Sequence, residues 1–218
     1  MLHLVTSHSF SQSTSRRARK SHHSYNTTTT HVVITMPIQE LFGGGITCEI
    51  PQGFRDLSTL RQVPDHQECW LADDQRLLVV EILDREEVAD TEAAAHFFKD
   101  LADFNGGTND AETDFKSQAL PIPIAGLPPD ASTWYGSGFQ RVKMGNEVDF
   151  MGNPRRQEIE WTRVELCVIR LPSAGSGTDL LISLTTPRDA NPQGPDATSS
   201  TFATVVSSFQ IRNWHLFG

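Results

Sequence analysis

From Gln67 to Thr185 the chain consists largely of strand-length apolar runs joined by short polar gaps, with one helical stretch among them. Strands joined this closely can only pair antiparallel, because a parallel neighbour needs a crossover of a dozen residues or more. Gln67 to Leu71 and Arg76 to Leu83 flank the turn Asp73-Asp74 and predict a hairpin. Ser132 to Lys143 and Gln157 to Leu171 predict two long strands around a Gly/Asn/Pro loop, and Asp179 to Thr185 a further strand. Asp114 to Leu120 is read as a strand ahead of the proline-rich loop 121–129, and Ile46 to Ile50 as the first strand of the domain.

Two helices interrupt this pattern. The first starts at Asp90 or Thr91. It carries Ala94, Phe97, Phe98, Leu101 and Phe104 on one face and should stop at Asn105-Gly106-Gly107. The second places Phe202, Val205, Val206 and Phe209 at helical spacing, after the loop 187–195. One helical turn is expected over Ser58 to Arg61, capped by Asp56 or Ser58, and Pro64 holds Val63 extended. Two amphipathic helices must cover a sheet face. The fold class expected is therefore α+β, a central, mostly antiparallel sheet flanked by α-helices.

Charge divides the 218 residues unevenly. The first 39 hold Arg16, Arg17, Arg19 and Lys20 and no acid, so the remainder carries 14 basic against 27 acidic residues, a balance of −13. Residues 1–36 are rich in Ser, Thr and His and read as a disordered extension, with 37–218 as the folded domain. The extension has three readings: a transit peptide, a weak nuclear-localisation patch around Arg16 to Lys20, or a stretch upstream of a true start at Met36. The acidity of the domain argues against binding to nucleic-acid phosphates and favours a basic protein partner. No apolar run approaches the roughly 20 residues that span a bilayer, so no membrane insertion is expected. A monomer is expected.

Chemistry is hard to find. Cys48, Cys69 and Cys167 form no C-x-x-C pair and are odd in number, so they read as core thiols in a reducing compartment. Neither a metal site nor a cofactor is expected. Gly43-Gly44-Gly45 lacks the Gly-Lys-Ser/Thr of a phosphate loop and reads as a flexible lead-in turn, while Gly136-Ser137-Gly138 suggests a bulge inside a strand. Asp65-His66-Gln67-Glu68 brings two carboxylates and an imidazole together with no nucleophile or further metal ligand assignable nearby; a solvated acidic rim is the plain reading, an acidic protein-docking patch the sharper one, and no catalytic residue is assigned.

Three runs carry a resemblance: Leu41-Phe42-Gly43-Gly44-Gly45-Ile46; Ile50-Pro51-Gln52-Gly53-Phe54; and, most specific, Leu60-Arg61-Gln62-Val63-Pro64-Asp65-His66-Gln67-Glu68. Leu77 to Leu83, Ile169-Arg170-Leu171, Thr178 to Ile182 and the closing Leu216-Phe217-Gly218 extend it. From about Leu41 to Gly218 the chain resembles the Mog-type Ran guanine nucleotide release factors. Gly45 stands where that family usually has alanine, and neither residues 1–36 nor the 145–157 loop follow its pattern. The resemblance implies a fold shared with the photosystem-associated PsbP proteins. It also implies binding of the GTPase Ran, release of its nucleotide, support of nuclear import, and residence in nucleus and cytoplasm. Matched residue by residue, it points to Asp65 and Glu68 on the Ran-binding surface, with Gln67 and Arg61 as weaker matches. The alternative class is a PsbP-like protein of the thylakoid lumen, with a plastid location; a small hydrolase ranks last.

Overall fold

The computed structural model describes residues 37–105, 112–144, 158–172, 177–187 and 199–217. The extension 1–36, the Gly106-Gly107 stop signal, the 145–157 loop and most of the 187–195 loop lie outside these ranges. No described helix is long and apolar enough to cross a membrane.

Among the described residues, ten strands and two α-helices form the domain. In chain order the strands are β1 (Ile38–Leu41), β2 (Ile46–Glu49), β3 (Phe54–Asp56), β4 (Gln67–Ala72), β5 (Leu77–Asp84), β6 (Glu112–Ala119), β7 (Ser132–Met144), β8 (Glu158–Leu171), β9 (Thr178–Pro187) and β10 (Gln210–Ile211). Helix α1 (Ala93–Phe104) falls between β5 and β6, and α2 (Ser200–Ser208) between β9 and β10. Seven strands make one sheet in the order β3-β4-β5-β9-β8-β7-β6, and β1, β2 and β10 make a small one. Every described pairing is antiparallel. The α+β expectation is thus met, with the sheet between two helices.

Strand alternation assigns each side chain to a face. Leu78, Val80, Ile169, Ile182 and Leu184 point towards α2 and the small sheet, where Phe202, Val205, Val206 and Phe209 complete the larger core. Val164, Leu166, Val168 and Leu181 point to the other face, under Ala93, Ala94, Phe97 and Phe98 of α1. Phe209 lies one residue past α2, at its C-cap, yet is fully buried. The N-cap of α2 is Ser199, whose side chain accepts the Phe202 N–H; the Ser199 N–H in turn donates to the buried Glu165 carboxylate at 2.8 Å. A carboxylate there complements the positive end of the helix dipole.

Three expectations change. The bulge lies in β6, between Thr113 and Lys116, opposite Gly138 rather than within Gly136–Gly138. Gly136 is instead a close-approach position: an added Cβ would come 2.8 Å from Phe115 Cζ and 3.3 Å from Ala94 Cβ. Phe104, placed on the apolar face of the first helix by its spacing, is 90% exposed. Strands β1, β3 and β10 were not anticipated from the sequence. The turn at 57–59 forms as a short 3-10 helix, capped by Asp56, whose carboxylate accepts the Ser58 N–H at 2.7 Å.

Candidate functional site around the Pro64 turn

The segment 60–68 enters β4 through a tight bend. The Gln67 N–H donates to the Pro64 carbonyl at 2.9 Å, which puts Asp65 and His66 at the tip, both exposed. The His66 carbonyl accepts from the Ile82 N–H at 2.9 Å and fixes the bend to β5.

Beyond the tip the pleat separates the candidate residues. Glu68 turns towards the small sheet, where its Oε1 accepts the Phe42 N–H at 2.7 Å. Phe42 has φ 49°, and Gly43 and Gly44 follow at 65° and 89°. Glycine takes this left-handed geometry without cost, but a phenylalanine does not. The lead-in turn is therefore a pinned structure, and Glu68 is its pin. Substitution of Glu68 by alanine should lower stability by about 1–2 kcal/mol, since it leaves a half-buried N–H without its acceptor. Glu68→Gln, which keeps an acceptor, should lose clearly less; equal losses in urea melts would contradict the pin.

Gln67 faces the other way. Its amide donates to Glu81 Oε1 at 2.5 Å, directly across from it on β5. Glu81 is 9% exposed, and burial raises its carboxyl above the ordinary range, against smaller opposing effects of the Gln67 hydrogen bond and His66. Arg61 is exposed and lines the same side, close enough to Cys69 for its charge to oppose the effect of burial on that thiol. The bend thus joins three environments: Asp65 in solvent, Glu68 against the Phe42 turn, and Gln67 with Arg61 on the α1 side. The four do not converge on one point.

On that side a groove of about 680 Å³ opens between α1 and the faces of β4, β5 and β9. Arg61, Gln67 and Glu81 line it together with apolar residues that include Leu71, Val79 and Phe104. Glu81 was missed as a site residue. Its signal in the sequence was the lone carboxylate interrupting Leu77 to Leu83.

Cys48, Cys69 and Cys167 are buried and free of disulfides. Burial pushes the Cys48 thiol up to about 12 and raises Cys69 and Cys167 as well, the reverse of what a nucleophilic thiol needs. Among the described residues no group of three or more His, Cys, Asp or Glu side chains could hold a metal ion.

Comparison with known proteins fits this architecture. Residues 39–187, more than half of the chain, match the model of the Mog1 family, described as Ran-interacting Mog1 protein. The Ran guanine nucleotide release factor of Bos taurus is 30% identical over 192 residues, covering 82% of this chain and 95% of that protein. Its Danio rerio counterpart is 27% identical over 190 residues, covering 82% and 98%. The crystal structure of the Saccharomyces cerevisiae Ran-binding protein Mog1p superposes with a TM-score of 0.51 at 25% identity, covering 84% of this chain and all of that one. On sequence and fold together, the chain belongs to the Mog1 family.

Proposed function

We propose that this protein binds Ran, promotes release of its bound guanine nucleotide, and thereby supports nuclear protein import, acting as a regulator that performs no chemistry of its own. Family membership supports the reading. The observation that carries it is the exposed Asp65 at the tip of the Pro64 turn, inside the stretch most like the release factors and on a domain with a balance of −13. Residues 37–218 would be the binding unit. Nucleus and cytoplasm are the matching location. The thylakoid alternative finds no support, since relatives include proteins named for nuclear import in Schizosaccharomyces pombe and Saccharomyces cerevisiae.

The mechanism follows from linkage. A release factor must bind emptied or opened Ran more tightly than closed, loaded Ran, because equal affinity shifts no equilibrium. Nucleotide then weakens binding of the factor by the same ratio. Carboxylates suit this exchange. They attract basic groups on the GTPase and compete for contacts that otherwise hold phosphate or magnesium. Asp65 would make that contact directly. Glu68 would act both there and through the Phe42 turn, with Gln67 and Arg61 contributing from the neighbouring face.

Asp65→Ala is the cleaner test, because the side chain is exposed and its loss leaves the fold intact. Release of a fluorescent guanine nucleotide from loaded Ran should need about tenfold more Asp65→Ala protein for the same rate, a cost of roughly 1.4 kcal/mol. Unaltered stimulation by Asp65→Ala and Glu68→Ala alike would show that the contact lies elsewhere.

A further inference from the structure

Helix α1 lies mainly over β6, β7 and β8 and reaches Leu181 of β9, so among the described residues no helix covers the same face of β4, most of β5 and the rest of β9. Strands are about 4.8 Å apart and a helix with side chains is about 10 Å across, so the uncovered width is close to that of one more helix. The floor is mixed: Leu71, Leu77, Val79 and Leu83 supply an apolar strip on β4 and β5, Ser183 and Thr185 of β9 are polar, and the wall ends in Phe104. Phe104 is among the few large apolar residues that the described structure leaves in solvent, and it stands at the edge of an apolar surface.

Charge indicates what could cover this surface. Among the described residues, the charged side chains lining the groove are Glu81, Asp84, Glu86 and Asp100 against Arg61. Glu86 and Asp100 flank His96, whose Nε2 lies 3.7 and 3.2 Å from their carboxylates. Glu81 sits in the floor between Val79 and Leu83, opposite Leu181, with the Gln67 amide as the only described side-chain donor to it. A carboxylate so enclosed by apolar neighbours is best satisfied by a cation delivered on an apolar scaffold.

We propose that this groove seats an amphipathic helical segment of Ran, its apolar face on β4 and β5 beside Phe104 and a lysine or arginine over Glu81. The inference rests on the Ran-binding reading and adds a second contact to it, on the α1 side of the Pro64 turn. Arg61 and Gln67 then belong to the groove contact, and Asp65 to the turn contact. A helix laid in an apolar groove is a common mode of recognition, and energy in such contacts concentrates in a few buried aromatic and charged anchors.

The test uses the full chain and nucleotide-free Ran, with affinity measured by biolayer interferometry. Phe104→Ala removes a side chain that is 90% exposed, so folding is not at risk. Glu81→Gln keeps the acceptor for Gln67 and removes the charge. Asp130→Asn, an exposed acid that does not line the groove, controls for overall charge. Phe104→Ala and Glu81→Gln should each weaken binding about tenfold, while Asp130→Asn stays within about twofold. If the unaltered protein binds Ran and both groove variants match it, the groove proposal is wrong and the Ran reading stands. No binding by the unaltered protein overturns the reading itself, and the groove assignment with it. A dimer of this chain that Phe104→Ala dissociates would also overturn the assignment, by naming a second copy as the occupant.

Discussion

Replacement of Asp179 by alanine should cost about 3–5 kcal/mol, the loss expected when one partner of a buried ion pair is removed. Asp179 and Arg170 are both fully buried and face each other across β8 and β9. One aspartate oxygen accepts from Arg170 Nε at 3.0 Å, and the other accepts the Glu86 N–H at 3.1 Å. The rest of the guanidinium reaches the Val88 carbonyl at 2.7 Å, the Glu86 carbonyl at 2.5 Å and Asp90 Oδ1 at 3.0 Å. Asp90 is held further by Arg85 and by the Ser132 hydroxyl. The network therefore fixes the 86–90 segment, from which α1 departs. Loss of Asp179 leaves a buried cation with its chief counter-charge gone, in a domain whose total stability is of order 5–15 kcal/mol. Asp179→Asn, which keeps one acceptor, should cost less than alanine. Urea melts would measure both, and an alanine variant within about 1 kcal/mol of the parent would contradict the assigned role.

Phe98→Ala should be comparably severe, at about 3–5 kcal/mol. Phe98 is 1% exposed, and its ring lies 4.4 Å from that of Phe115, centroid to centroid. Its carbonyl accepts from the buried Gln140 amide at 2.5 Å, which ties the middle of α1 to β7. The approach is this close because Gly136 has no Cβ to hold Phe115 and Ala94 away. A cavity at Phe98 would remove the main anchor of a helix that also forms one wall of the groove. Retention of the parent melting curve would mean that α1 repacks freely and that the close approach at Gly136 is incidental.

Much of this arrangement was readable before any coordinates. The spacing of Phe97, Phe98 and Leu101 fixed the face of α1, and the hairpin gaps fixed which strands could pair. What escaped depended on contacts between residues distant along the chain. Strands β1, β3 and β10 have only 4, 3 and 2 residues, too short for alternation to show. Phe104 kept the helical period but lost its partner, since α1 covers only part of the sheet. Arg170 and Asp179 become a pair only once the β8–β9 register is known. At the candidate site, the resemblance pointed to Asp65, which the fold leaves exposed, whereas the other role of Glu68 depends on a backbone N–H 26 residues earlier. The likeness at 60–68 suggested one acidic patch. Folding separates it into a turn tip, a structural pin and one edge of a groove.

The most direct test is equilibrium binding of the full chain to Ran in three states: loaded with GDP, loaded with GTP, and emptied of nucleotide. The account predicts tightest binding to emptied Ran and displacement of the protein when nucleotide is added back. Equal affinity in all three states, or no binding in any of them, would contradict it.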